Sequence, residues 1–130
     1  MNTYGGRFIL KLIICNLMFL LVLTGCTSAI PDNPTAKSIL KEKPKADIFQ
    51  FNQLIYINIT KPELTKGNFV KKGKLGEIKK MTSSSLFFKD FYATKLPIGT
   101  EIFATNEHNT YSIIVELDDE QRIYKVLIEG

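Results

Sequence analysis

The chain has no tryptophan, a single histidine and only two cysteines in its 130 residues. One histidine and two sulfurs fall short of the nitrogen and sulfur ligands a zinc site needs. The lone His108 lies in Asn106-Glu107-His108-Asn109, a run of turn formers. A catalytic histidine needs a nucleophile and an orienting acid on rigid structure, so an exposed turn is the simpler reading. Acids are missing altogether from residues 1–25, which carry two bases, Arg7 and Lys11. An apolar run of 12 residues follows, Leu12 to Leu23, broken among polar residues only by Asn16. It reaches 16 residues when counted from Phe8. A membrane-spanning helix takes about 20 apolar residues, so a permanent span is the weaker reading and a signal segment the stronger.

What closes that run is Leu23-Thr24-Gly25-Cys26, which resembles the lipobox of bacterial lipoproteins. The resemblance implies that Cys26 receives a diacylglyceryl group on its thiol and becomes the first residue after cleavage behind Gly25. The thiol is the nucleophile that takes the lipid. Two acyl chains meet the two-signal requirement for a stable anchor, each buried methylene adding about 0.8 kcal/mol. Cys15 then leaves with residues 1–25 and Cys26 is blocked, so no disulfide is expected. The expected location is the outer face of the cell membrane. Removing Arg7 and Lys11 leaves 15 bases against 13 acids, which lowers the net charge from +4 to +2.

Residues 26–46 read as a lipidated cysteine followed by a flexible tether. Pro31, Pro34 and Pro44 stand there among polar residues, with Ile30, Ile39 and Leu40 as the large apolar side chains. Ala36 to Lys43 has the length of one or two helical turns, too short to persist alone.

Residues 47–130 read as a small β domain. Asp47–Phe51 and Leu54–Ile59 are rich in Ile, Phe and Tyr and flank Asn52-Gln53, a two-residue hairpin turn in which Gln is a poorer choice than Gly. Leu75–Met81 alternates weakly and suits an edge strand. Leu86–Leu96 contains Leu86, Phe87, Phe88, Phe91 and Tyr92 and is compatible with strand or short helix. Pro97-Ile98-Gly99 is a turn, and Thr100–Ala104 a strand after it. Tyr111–Leu117 and Arg122–Ile128 form a further hairpin across Asp118-Asp119-Glu120-Gln121. The expected fold is mainly β, a small antiparallel barrel or curled sheet of about five to seven strands.

The run Ala93 to Phe103, with Ile113-Ile114-Val115, the ending Leu127 to Gly130 and the Asp47–Asn58 hairpin, resembles short Bacillus-type lipoproteins. That family brings an envelope location and no assigned activity, so the resemblance implies neither a cofactor nor catalytic residues.

Charge is segregated. Seven lysines and two glutamates lie between Lys61 and Lys80, and five acids without a lysine or arginine between Glu107 and Glu120. Lys66, Lys71, Lys72, Lys74, Lys79 and Lys80 are candidate contacts for an anionic bilayer or wall polymer, each adding about 1 kcal/mol near a membrane surface. The opposing reading is a solvated, self-repelling loop. Nucleic acid is disfavoured by the expected location and by an aromatic content of the run limited to Phe69.

Other features carry weaker chemistry. Asp118-Asp119-Glu120 lacks the ligand alternation of a calcium loop. Ser83-Ser84-Ser85 has no nucleophile elbow, and the Asn58-Ile59-Thr60 sequon has no use in a bacterium. The leading expectation is a non-enzymatic, membrane-anchored envelope module that binds a wall polymer or another envelope protein. A small wall hydrolase using Glu101, Glu116 or Asp90 is the alternative, and it requires two carboxylates roughly 5–10 Å apart in a concavity. A third possibility is a small-ligand site in the Phe87–Tyr92 aromatic cluster, against which stands the simpler reading that the rings are core.

Overall fold

The computed structural model describes residues 3–22, 32–61, 69–107 and 110–129. The chain divides into two compact units, Met1–Ile30 and Pro31–Gly130. The first contains helix α1, Thr3–Val22. Among the described residues no helix is long and apolar enough to cross a membrane.

The second unit is mainly β. Its strands are β1 (Ile48–Phe51), β2 (Leu54–Asn58), β3 (Lys71–Glu77), β4 (Lys80–Met81), β5 (Tyr92–Ala93), β6 (Glu101–Thr105), β7 (Ser112–Leu117) and β8 (Glu120–Val126). They form one curled, half-barrel sheet in the order β3-β6-β7-β8-β2-β1-β5-β4, antiparallel except for the parallel β4–β5 pair. The eight strands exceed the five to seven expected, because β4 and β5 are two-residue bridges too short for any period-2 pattern to mark. β3 and β4 stand at opposite ends of the sheet order yet are separated in the chain only by Ile78 and Lys79. Ile78 N donates to Thr100 O and Lys79 N to Phe91 O, so this short link ties both ends of the sheet together.

The two expected hairpins form. Asn52 and Gln53 take φ of 48° and 63°, and Asp118 and Asp119 take 53° and 62°, the left-handed pair of a two-residue type I′ turn. The second turn is tighter than the four-residue loop expected, since Glu120 and Gln121 already pair with Leu117 and Glu116. Gly99, at φ 87°, supplies the positive φ of the Pro97–Thr100 turn, where Thr100 N reaches Pro97 O at 3.2 Å.

The concave face carries the main core. Phe49 stacks on Tyr56 with ring centroids 5.2 Å apart, Tyr124 leans on Phe49 at 5.0 Å, and Ile102, Ile113, Val115 and Leu96 are fully buried around them. The two phenols find partners, as buried tyrosines usually do. Tyr56 Oη donates to Thr110 O at 2.6 Å, and Tyr124 Oη to Asp47 Oδ1 at 2.8 Å. Burial raises both tyrosines above the ordinary phenol range, most of all Tyr124, where the adjacent Asp47 acts in the same direction.

On the outer face, helix α2 (Ala36–Glu42) buries Ala36 and Leu40 against Ile48 and Ile55. These residues belong to the stretch 26–46 expected to be a flexible tether, and from Thr35 on the structure shows a capped helix packed on the sheet instead. The seven-residue helix persists because it is capped as well as packed. Thr35 Oγ1 accepts from Ser38 N, and Ser38 Oγ from Thr35 N, which satisfies two orphan donors.

Candidate functional site

The lipobox Leu23, Thr24, Gly25 and Cys26 lies outside the described residues, as do Lys66 and His108. The lysine candidates that are described fall into two settings.

The first is a row of glutamates crossing the outer face. Strand register sets Glu77 opposite Glu101, Glu101 opposite Glu116, and Glu116 opposite Gln121. Like charges directly opposite on a sheet repel, and β3 supplies the compensation. Lys74 Nζ lies 2.6 Å from Glu77 Oε1 and 3.3 Å from Glu101 Oε1, and Lys71 Nζ lies 2.8 Å from Glu116 Oε1. Lys71 also passes over the Phe103 ring, 4.5 Å from its centroid. Its hydrogen bond holds the Glu116 carboxyl below the ordinary carboxylate range, aided by Gln121, while desolvation acts the other way. Hydrogen bonding to Glu77 raises Lys74 above the usual lysine value. Both lysines are therefore engaged by carboxylates of their own domain. Lys72 is exposed on the same strand.

Glu101 and Glu116 also line an open groove of about 620 Å³ with Asp118, Asp119, Glu120 and the Pro97–Thr100 turn. Residues opposite each other on neighbouring strands have Cβ atoms about 4.5–5.5 Å apart, which brings the two side chains onto one face as neighbours. The electrostatics bear on which role each carboxylate could take: an ionised nucleophile or base suits a lowered pKa. A general acid needs a raised pKa, and Glu116 is lowered. Asp90, the third carboxylate considered, is committed to the β1–β2 turn: its Oδ1 accepts from Gln53 N at 2.9 Å and Gln50 Nε2 at 3.0 Å. That brace accounts for a left-handed Gln53 where Gly is the common residue.

The second setting is around Tyr92 and Phe91. Lys79 Nζ sits 4.8 Å from the Phe91 centroid, and Lys80 and Lys89 flank the Tyr92 ring at 5.6 and 5.7 Å. Among the described residues none of the three makes an ion pair. The aromatic segment nearby divides by direction. Phe91 packs on Phe51 and lies against Gly76, and Phe88 packs edge-on to Tyr92 and into the α2 cluster. Both rings pack within the domain, and Phe91 also borders an open concavity with Gly76, Ile78 and Lys79. Phe87 points outward, 89% exposed, beside Leu86 at 74%. Sequence reasoning does not reach Lys89 or the outward pair, because Lys89 lies outside the basic run and a contiguous Leu-Phe-Phe reads as core.

The remaining candidates have local roles. Ser84 Oγ accepts from Leu86 N, and Asn58 is held between Asp47 and Thr60. Among the described residues no group of three or more His, Cys, Asp or Glu side chains is placed to hold a metal ion. Comparison of the chain with protein-family models, curated proteins and solved structures finds no match.

Proposed function

We propose that this protein is a lipid-anchored bacterial envelope lipoprotein whose β domain works by contact and not by catalysis. The observation that carries the reading is Leu23-Thr24-Gly25-Cys26 closing an apolar run too short to span a bilayer. The domain supports it in that Lys71 and Lys74 and the carboxylates Glu77, Glu101 and Glu116 pair with one another across the sheet. Expressed in a bacterium with a diderm or monoderm envelope, the wild-type chain stays with the membrane after high-salt washing and is open to protease added from outside. Cys26→Ala is left unprocessed. A wild-type chain found in the cytoplasm or freely secreted overturns the reading.

A wall hydrolase is the second reading, favoured by the Glu101–Glu116 pair on its open groove. It requires that purified protein cleave wall glycan and that Glu116→Gln abolish cleavage. Unchanged glycan after prolonged incubation removes it.

A further inference from the structure

Leu86 and Phe87 are exposed at 74% and 89%, and Phe87 has φ 56°, a left-handed conformation that costs a non-glycine residue about 1–2 kcal/mol. The neighbour Phe88 is drawn into the α2 cluster while Phe87 is thrown out, so the turn presents an aromatic ring to solvent at a conformational cost. Isolated exposed apolar residues need no explanation, but an aliphatic-aromatic pair held out by a strained backbone, in a segment whose Tyr92 and Phe91 rings carry three lysines, does. The ammonium groups of Lys79, Lys80 and Lys89 lie over the rings of Phe91 and Tyr92 and have no carboxylate partner among the described residues. The nearest acids in sequence are occupied, Glu77 by Lys74 and Asp90 by Gln50 and Gln53.

We propose that the segment 82–91 is an interfacial element that inserts Leu86 and Phe87 into an anionic bilayer surface while Lys79, Lys80 and Lys89 meet the phosphate headgroups. An exposed apolar pair combined with lysines on the same segment is the composition by which interfacial segments bind anionic lipid. The apolar pair selects a bilayer over a wall polyanion, which offers lysine partners and no hydrocarbon. The inference deepens the anchored-module reading and rests on it for the presence of the membrane. Nine peptide units from Cys26 to Thr35 span at most about 32 Å. The root of the 82–91 segment and the start of α2 share one apolar cluster, Phe88 with Ala36 and Leu40. The anchor therefore holds this side of the domain within reach of lipid.

The chain lacks tryptophan, so Phe87→Trp in the full chain installs a single reporter at the tip. With phosphatidylcholine–phosphatidylglycerol vesicles carrying brominated acyl chains, the indole emission shifts to the blue and is quenched. Each Lys→Ala change at 79, 80 or 89 weakens partitioning about fivefold. Water-like emission with those vesicles overturns the inference, as does binding of soluble polyphosphate without any quenching by lipid. Intact mass on the same sample separates the two levels. A lipidated chain with a water-exposed indole sinks the insertion and leaves the anchor standing, whereas quenching on an unlipidated chain does the reverse.

Discussion

Lys71 and Lys74 of β3 and the nearby Lys79 and Lys80 come from one stretch of sequence and end in opposite circumstances. Lys71 and Lys74 are matched by Glu116, Glu77 and Glu101, carboxylates that register places in a row and that would otherwise repel one another. Lys79, Lys80 and Lys89 rest on aromatic rings. A basic run is thus a poor guide to a basic surface: what decides is whether the fold brings acids of its own within reach. The chain crosses from one setting to the other between Glu77 and Lys80, where it also passes between the two ends of the sheet.

Charge removal separates the two groups of lysines most sharply. The combined Lys79→Ala, Lys80→Ala, Lys89→Ala variant loses roughly 100-fold in affinity for anionic vesicles, three steps of about fivefold. Lys71→Ala with Lys74→Ala changes it by less than about threefold, since those charges are already compensated. Co-sedimentation at fixed salt checks both, and equal losses would erase the distinction.

Next in size is Gly76→Ala, because β3 touches the aromatic setting at this residue. A Cβ there collides with the Phe91 ring, which is itself wedged against Phe51. Overpacking of this kind costs about 1–3 kcal/mol, read as a lower urea midpoint, and it displaces the ring beneath Lys79. An unchanged midpoint would mean that Phe91 moves freely.

The smallest effect is a pH dependence. Glu116 has a folded pKa below its unfolded value. Its contribution to stability is present above the unfolded carboxylate range, near pH 4.3, and is lost as pH falls through the folded value. The wild-type urea midpoint therefore declines on acidification, and Lys71→Ala flattens part of that slope. Identical slopes would show that the ion pair is too exposed to matter.

Much of the fold is legible where backbone chemistry is local. Asn52-Gln53 and Pro97-Ile98-Gly99 announce turns, and Ile113-Ile114-Val115 announces a strand. The illegible parts depend on partners distant in sequence. α2 looks like tether because its burial rests on Ile48 and Ile55, and β4 and β5 exist only through pairing with each other and β1. Phe87 and Phe88 are identical in composition, and only the turn between them sends one out and one in. Among the candidate site residues, Glu101 and Glu116 are visible as acids, but their juxtaposition is a property of the β6–β7 register.

Lipid attachment at Cys26 is the premise of the envelope location, and the intact mass of protein extracted from membranes tests it. A chain beginning at Cys26 and carrying lipid, with Cys26→Ala retaining residues 1–25, is the predicted result; an uncut or unlipidated wild-type chain would contradict it.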